Sequence, residues 1–178
     1  MRIARLGFVL MLIACASLLA LGAPPSKQAA GAAPVPDQII SAKKVFIANA
    51  SVGCNPIGTT PFGGQDRPYN QFFAAMKNWG RYQLVPSPAD ADLAFEISFT
   101  CPTISPSVVK GNSFGYPYDP QLSLVIRDVK THIVLWKITE HVELAVLQGH
   151  RNENFDRAMA ALVLDLKNLT RRSQAGSK

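Results

Sequence analysis

The chain has 178 residues, enough for one domain with short appendages. Hydrophobic residues make up 48% and charged residues 17%, a globular balance rather than a disordered one. Net charge is +6, yet no run of Lys and Arg exceeds two residues, which excludes a basic nucleic-acid-binding tract.

Residues 1–22 read as a signal peptide. Arg2 and Arg5 form a basic start, Gly7 to Leu19 an apolar stretch, and Ala20-Leu21-Gly22 offers small residues for cleavage before Ala23. The apolar run falls short of the roughly 20 residues that span a bilayer. Losing Arg2 and Arg5 would take the charge from +6 to +4. Leu12-Ile13-Ala14-Cys15 also resembles a lipobox, in which Cys15 becomes a lipidated amino terminus. Against lipidation, the apolar stretch before Cys15 is short and Ala16 to Leu21 stays apolar. Membrane attachment is expected only if Cys15 is lipidated. Otherwise the protein is free in the periplasm or secreted.

Residues 23–40 have an Ala/Pro-rich linker composition and are expected to be flexible. Residues 41–172 form the expected domain, and 173–178 a disordered tail. Lys43 to Asn49 is a β-rich run. A Gly-, Pro- and Thr-rich loop follows over 50–66. Pro68 suits the first turn of a helix. Tyr69, Phe72, Phe73 and Met76 recur at helical spacing, and Gly80 stops the helix. Tyr82 to Val85 is a short strand, and Pro86 to Asp90 a turn.

Asp92 to Cys101 alternates cleanly, with Leu93, Phe95, Ile97, Phe99 and Cys101 on one face. A Pro/Gly/Ser loop spans 102–119. Gln121 to Val129 and Ile133 to Ala145 are two further strands, joined by a tight turn at Lys130-Thr131. Asn152 to Thr170 closes the chain as a helix capped by Asn152 or Asn154. Phe155, Met159, Leu162, Leu166 and Leu169 form its apolar stripe. The order is β-α-β-β-β-β-α. Strands covered on both faces would read as continuous apolar runs, and these alternate. The expected fold is therefore an α/β (α+β) two-layer sandwich, a five-stranded mixed sheet with both helices on one face.

Cys54 and Cys101 form an even pair after cleavage, and a disulfide between them suits an oxidising compartment. It would close a 48-residue loop and contribute about 4 kcal/mol on the chain-entropy argument. The alternative is two free thiols.

No constellation announces an active site. Gly53, Gly58, Gly63 and Gly64 follow a strand but lack a phosphate-loop spacing. His132, His141 and His150 are spaced nine apart, unlike metal ligands. No cofactor and no metal are expected. His141 and Glu143 share a strand face, and with Lys137, Glu96 and Arg127 they make a polar cluster. That cluster reads either as an acid/base site or as an ordinary solvated sheet face. Phe114, Tyr116 and Tyr118 lie in a Gly/Pro loop and could form a binding surface or fold back over the core.

From Lys43 onward the pattern resembles small secreted or lipid-anchored bacterial domains. "ADADLAFEISF" and the Asp-x-x-Thr-x-x-x-Leu-Trp hairpin (Asp128, Thr131, Leu135, Trp136) carry the resemblance. The layout is similar to the TolB amino-terminal domain and to lipoprotein activators of penicillin-binding proteins. The resemblance implies a non-enzymatic envelope role. The half-polar strands and the aromatic loop point to a module that binds another envelope protein or a cell-wall component through the open sheet face or the two long loops. The alternative is a small periplasmic hydrolase or ligand-binding protein using His141 and Glu143. A third reading is a homo-oligomer, a dimer formed through the sheet face or edge.

Overall fold

The computed structural model describes residues 33–50, 64–103 and 118–175, with side chains through Arg171. In chain order the elements are α1 (Asp37–Ser41), β1 (Lys44–Asn49), α2 (Arg67–Trp79), β2 (Gln83–Leu84), a 3-10 turn (Pro88–Asp90), β3 (Leu93–Thr100), β4 (Gln121–Asp128), β5 (Val134–His141) and α3 (Gln148–Ala175). The five strands form one open mixed sheet in the order β2-β1-β3-β4-β5. β1 runs parallel to both β2 and β3, while β3, β4 and β5 form an antiparallel meander. This is the α+β layout that the alternation predicts.

Leu93, Phe95, Ile97 and Phe99 of β3 are buried, and their neighbours on the other face are half-buried. Across the sheet they continue into Val45 and Ile47 of β1 and Leu122, Leu124 and Ile126 of β4. α2 adds Phe72 and Met76 to this core, and α3 adds Phe155, Met159, Leu162, Leu166 and Leu169. Both long helices thus cover one sheet face. In α2, Phe73 stays exposed at the border of the stripe. Gly80 ends the helix in the left-handed region (φ 68°), its N–H donating to the Met76 carbonyl.

Three boundaries differ from the sequence reading. First, the segment expected to be a flexible linker ends in α1. Ile39 is fully buried and Val35 packs against the core. The carbonyls of Ile39 and Ile40 accept bonds from the Tyr82 hydroxyl (3.3 Å) and the Arg81 guanidinium (2.9 Å). Averaging over Ala and Pro masks these anchors.

Second, α3 starts at Gln148, so neither asparagine caps it. Asn152 Oδ1 accepts from Arg67 (2.8 Å) and Gln148 (3.1 Å) instead, and Asn154 Nδ2 donates to the Glu143 carbonyl (2.9 Å). The helix also runs on to Ala175, into the stretch expected to be a disordered tail.

Third, β5 ends at His141 rather than Ala145. Beyond it, side chains of α3 satisfy the backbone. Arg151 donates to the carbonyls of Ala145 and Val146, and Asn154 to that of Glu143.

The β4–β5 turn is held by Asp128, whose Oδ1 accepts from Lys130 N–H (2.8 Å) and Thr131 N–H (2.7 Å). His132 follows at φ 59°, the left-handed region that lets the chain reverse. A second aspartate joins two strand starts. Asp92 Oδ2 accepts from the N–H groups of Lys43 (2.8 Å) and Lys44 (2.9 Å).

Those two bonds, Lys44's first, hold the Asp92 carboxyl below its usual 3.8. A depressed pKa stabilises the fold above the unfolded value and loses that effect as pH falls through the folded one. Asp92→Asn is therefore expected to lower the melting temperature at pH 7. The gap from wild type should close as pH falls through the folded carboxyl's own value, which lies below 3.8. A gap that persists in acid would show that the charge is irrelevant at this position.

Candidate functional site

The sheet face away from α2 and α3 carries the side chains that alternate with the core. In its middle these are small. Ala48, Ala94, Ser98, Ser123 and Thr139 form a low floor with Val125 and Phe46. Three hydroxyls run across the strands. Ser123 Oγ and Thr139 Oγ1 lie 3.1 Å apart, and Ser98 Oγ donates to the Ser123 carbonyl at 3.5 Å. The register Ser98↔Ser123↔Thr139 produces this row.

The charged groups on this face lie in pairs, with Glu96 set between Ala94 and Ser98 on the middle strand. Arg127 Nε donates to Glu96 Oε1 at 3.0 Å, and Arg127 Nη1 to the His132 carbonyl at 2.8 Å. The Glu96 carboxylate raises the Arg127 pKa further, which keeps the guanidinium charged. At the other end, His141 Nδ1 lies 2.9 Å from Asp119 Oδ1.

Glu143 lies beyond the end of β5. Its carboxylate faces Arg157 of α3 at 3.4 Å. His141 and Glu143 are thus held by different partners, and both are largely exposed, at 68% and 77%. Lys137 projects from β5 on the same face as His141. Of the predicted polar cluster, the structure joins Glu96 to Arg127 and places Lys137 and His141 on the same face. It does not join His141 to Glu143.

Cys15, Cys54, Phe114 and Tyr116 lie outside the described residues. Tyr118 forms an isolated antiparallel bridge to Thr103, which closes the base of its loop. Cys101 directly follows β3 and is partly buried against the core. Among the described residues there is no grouping of three His, Cys, Asp or Glu that could hold a metal ion. None of the described helices is long and apolar enough to cross a membrane.

Two features escaped the sequence reading. The hydroxyl row depends on strand register, which single-sequence alternation does not fix. A carboxyl pair lies under the other face of β5, where Glu140 faces Asp165 of α3. Burial first, and then the Asp165 charge, push the Glu140 carboxyl up from its usual range. The i, i+2 spacing from Ile138 to Glu140 was the available signal, since it puts an acid in a core-facing row.

No family model matches this sequence, and no curated protein matches it. Solved structures do. A DUF330-family protein from Xanthomonas campestris aligns at 12% identity and TM-score 0.45, over 82% of this chain and 94% of its own. An uncharacterised lipoprotein B from Nitrosomonas europaea aligns at 11% identity and TM-score 0.38, over 81% and 87%. The LpoB carboxy-terminal domain from Salmonella enterica aligns at 12% identity and TM-score 0.25, over 57% and 83%.

Proposed function

We propose that this protein is a non-catalytic, exported cell-envelope module that binds a protein partner on the open face of its sheet. One observation carries the reading. That face carries alanines and a row of hydroxyls, of which Ser123 and Thr139 bond to each other, while Glu96 in the middle strand is neutralised by Arg127 and His141 pairs with Asp119 at one end. Surfaces of small side chains whose charges are neutralised in pairs suit macromolecular contact, whereas small ligands favour concave sites.

Ser98→Arg puts a long cation into the middle of the floor. Wild-type protein is expected to capture a specific partner from envelope extracts, and Ser98→Arg to lose it while melting at the same temperature. Equal capture by the variant would overturn the open-face reading. Co-sedimentation with isolated cell walls in place of protein capture would point to a wall component instead.

Export forms part of the same proposal, as does a bridge between Cys54 and Cys101. The intact mass of protein purified from the producing cell tests both. Export predicts a chain starting at Ala23, or at a lipid-bearing Cys15, and the bridge removes two hydrogens. A mass that retains Met1 and both thiols would refute these two points.

A further inference from the structure

Strand β5 presents a second surface, independent of the open-face reading. Of the two sheet edges, β2 is two residues long and β5 is eight. Proteins usually shorten or block an exposed edge, because its unpaired backbone groups template another strand. β2 follows that practice. β5 contains no proline, and among the described residues no strand pairs beyond it.

Its backbone phase can be read directly. The Val142 N–H donates to the Pro120 carbonyl, on the β4 side, at 2.8 Å. Hydrogen-bonding groups alternate sides along an antiparallel strand. The N–H and C=O groups of Lys137, Thr139 and His141 therefore point away from the sheet, as an outward row of donors and acceptors.

Beside that row lies a groove of about 280 Å³. Trp136 to Thr139 form one wall, and Asp165, Asn168 and Leu169 of α3 the other. Chemistry differs between its two sides. On the helix side, Trp136 and Leu169 are apolar and Asp165 is acidic, with Glu140 of β5 facing Asp165 next to the groove. On the open-face side, Lys137 is the cation.

We propose that β5 accepts an extended segment of a partner protein as an added strand. An antiparallel segment would place a basic side chain opposite Glu140 and apolar ones opposite Ile138 and Trp136. An acidic side chain would meet Lys137. Backbone bonds supply affinity in this mode, and the alternating side chains supply selectivity. A second copy of this chain fits poorly. Two-fold pairing of β5 with itself brings Glu140 and Asp165 of both copies to one side, while Lys137 lies on the other face. The acids then meet no cation.

The probe is a fluorescein-labelled peptide, Thr-Lys-Thr-Val-Glu-Val-Thr, with binding to the full chain followed by anisotropy. Thr139→Pro deletes an outward-pointing donor while leaving the β4 ladder intact, and Asp165→Lys reverses the acidic wall. Each is expected to weaken saturable binding by about tenfold or more, whereas Thr139→Val, which loses the same hydroxyl but keeps the N–H, should bind as wild type does. Exchanging Lys and Glu in the peptide should weaken binding similarly. Hydrogen exchange supplies a direct readout, since bound peptide should slow the Lys137, Thr139 and His141 amides.

Absence of binding, or binding indifferent to both substitutions, overturns the proposal. So does a wild-type dimer in sedimentation that Thr139→Pro abolishes, because the edge would then belong to a second copy. Ser98→Arg should leave peptide binding unchanged, so failure here is distinguishable from failure on the open face.

Discussion

Replacing Phe95 by alanine is expected to cost about 3–5 kcal/mol of unfolding free energy, a large share of a typical domain's total. The residue is fully buried at the centre of β3. β1 places Ile47 beside it on one side, and β4 places Ile126 on the other. Its ring meets Phe72 of α2 at 6.4 Å and Tyr82 edge-on at 5.5 Å, and Tyr82 in turn meets Trp79 at 5.5 Å. Truncation would remove a ring that joins sheet, helix and the approach to β2, and strands fixed on both sides cannot collapse into the space. Urea unfolding measures the loss. Phe95→Leu should recover more than half of it, because it refills most of the volume. A loss under about 1.5 kcal/mol for the alanine variant would mean that the core can repack here.

The second large effect belongs to Arg67. A cation in the first turn of a helix opposes the helix dipole, so local rules disfavour it there. Its partners lie on α3. Nη1 donates to Asn152 Oδ1 at 2.8 Å, and Nη2 to Asp156 Oδ1 at 2.7 Å. The guanidinium also stacks 4.4 Å from the centroid of the Phe155 ring. Only 15% of its side chain is exposed.

Arg67→Met is expected to lose about 2–3 kcal/mol, from charge-assisted hydrogen bonds and the cation–π contact together. Arg67→Lys should restore little, since a point charge cannot serve both acceptors and stack on the ring. Asp156→Asn should cost under about 1 kcal/mol, because that carboxylate is more than half exposed. Melting curves of the three variants test this order. A lysine variant as stable as wild type would show that charge alone holds the helices.

Much of the fold was legible because its signals are local. β3 alternates without a break, Gly80 ends α2, and Asp128 with Thr131 marks the hairpin turn. What escaped depends on partners distant in sequence. Arg67 meets Asp156 across 89 positions, and His141 meets Asp119 across 22. Such pairs exist only once the strands are in register. Asn152 looked like a helix cap because its residue type caps helices, but its side chain serves Arg67 instead. α1 was hidden for a compositional reason, since two isoleucines in an Ala/Pro stretch do not change its average. The candidate site was half legible. Alternation showed that one sheet face is polar, but it could not show which charges on that face neutralise one another.

The position of β1 has a kinetic consequence. It lies between β2 and β3, with Val45 beside Leu84 and Leu93, 39 and 48 positions further along. The meander closes shorter loops, 35 positions from Leu93 to Asp128 and 21 from Thr100 to Gln121. Longer loops cost more entropy before their contacts form. A chain emerging amino end first therefore presents β1 before either neighbour exists. Its Val45 and Ile47 wait in water until β3 arrives, so the first strand made stays uncovered until half the domain has been synthesised.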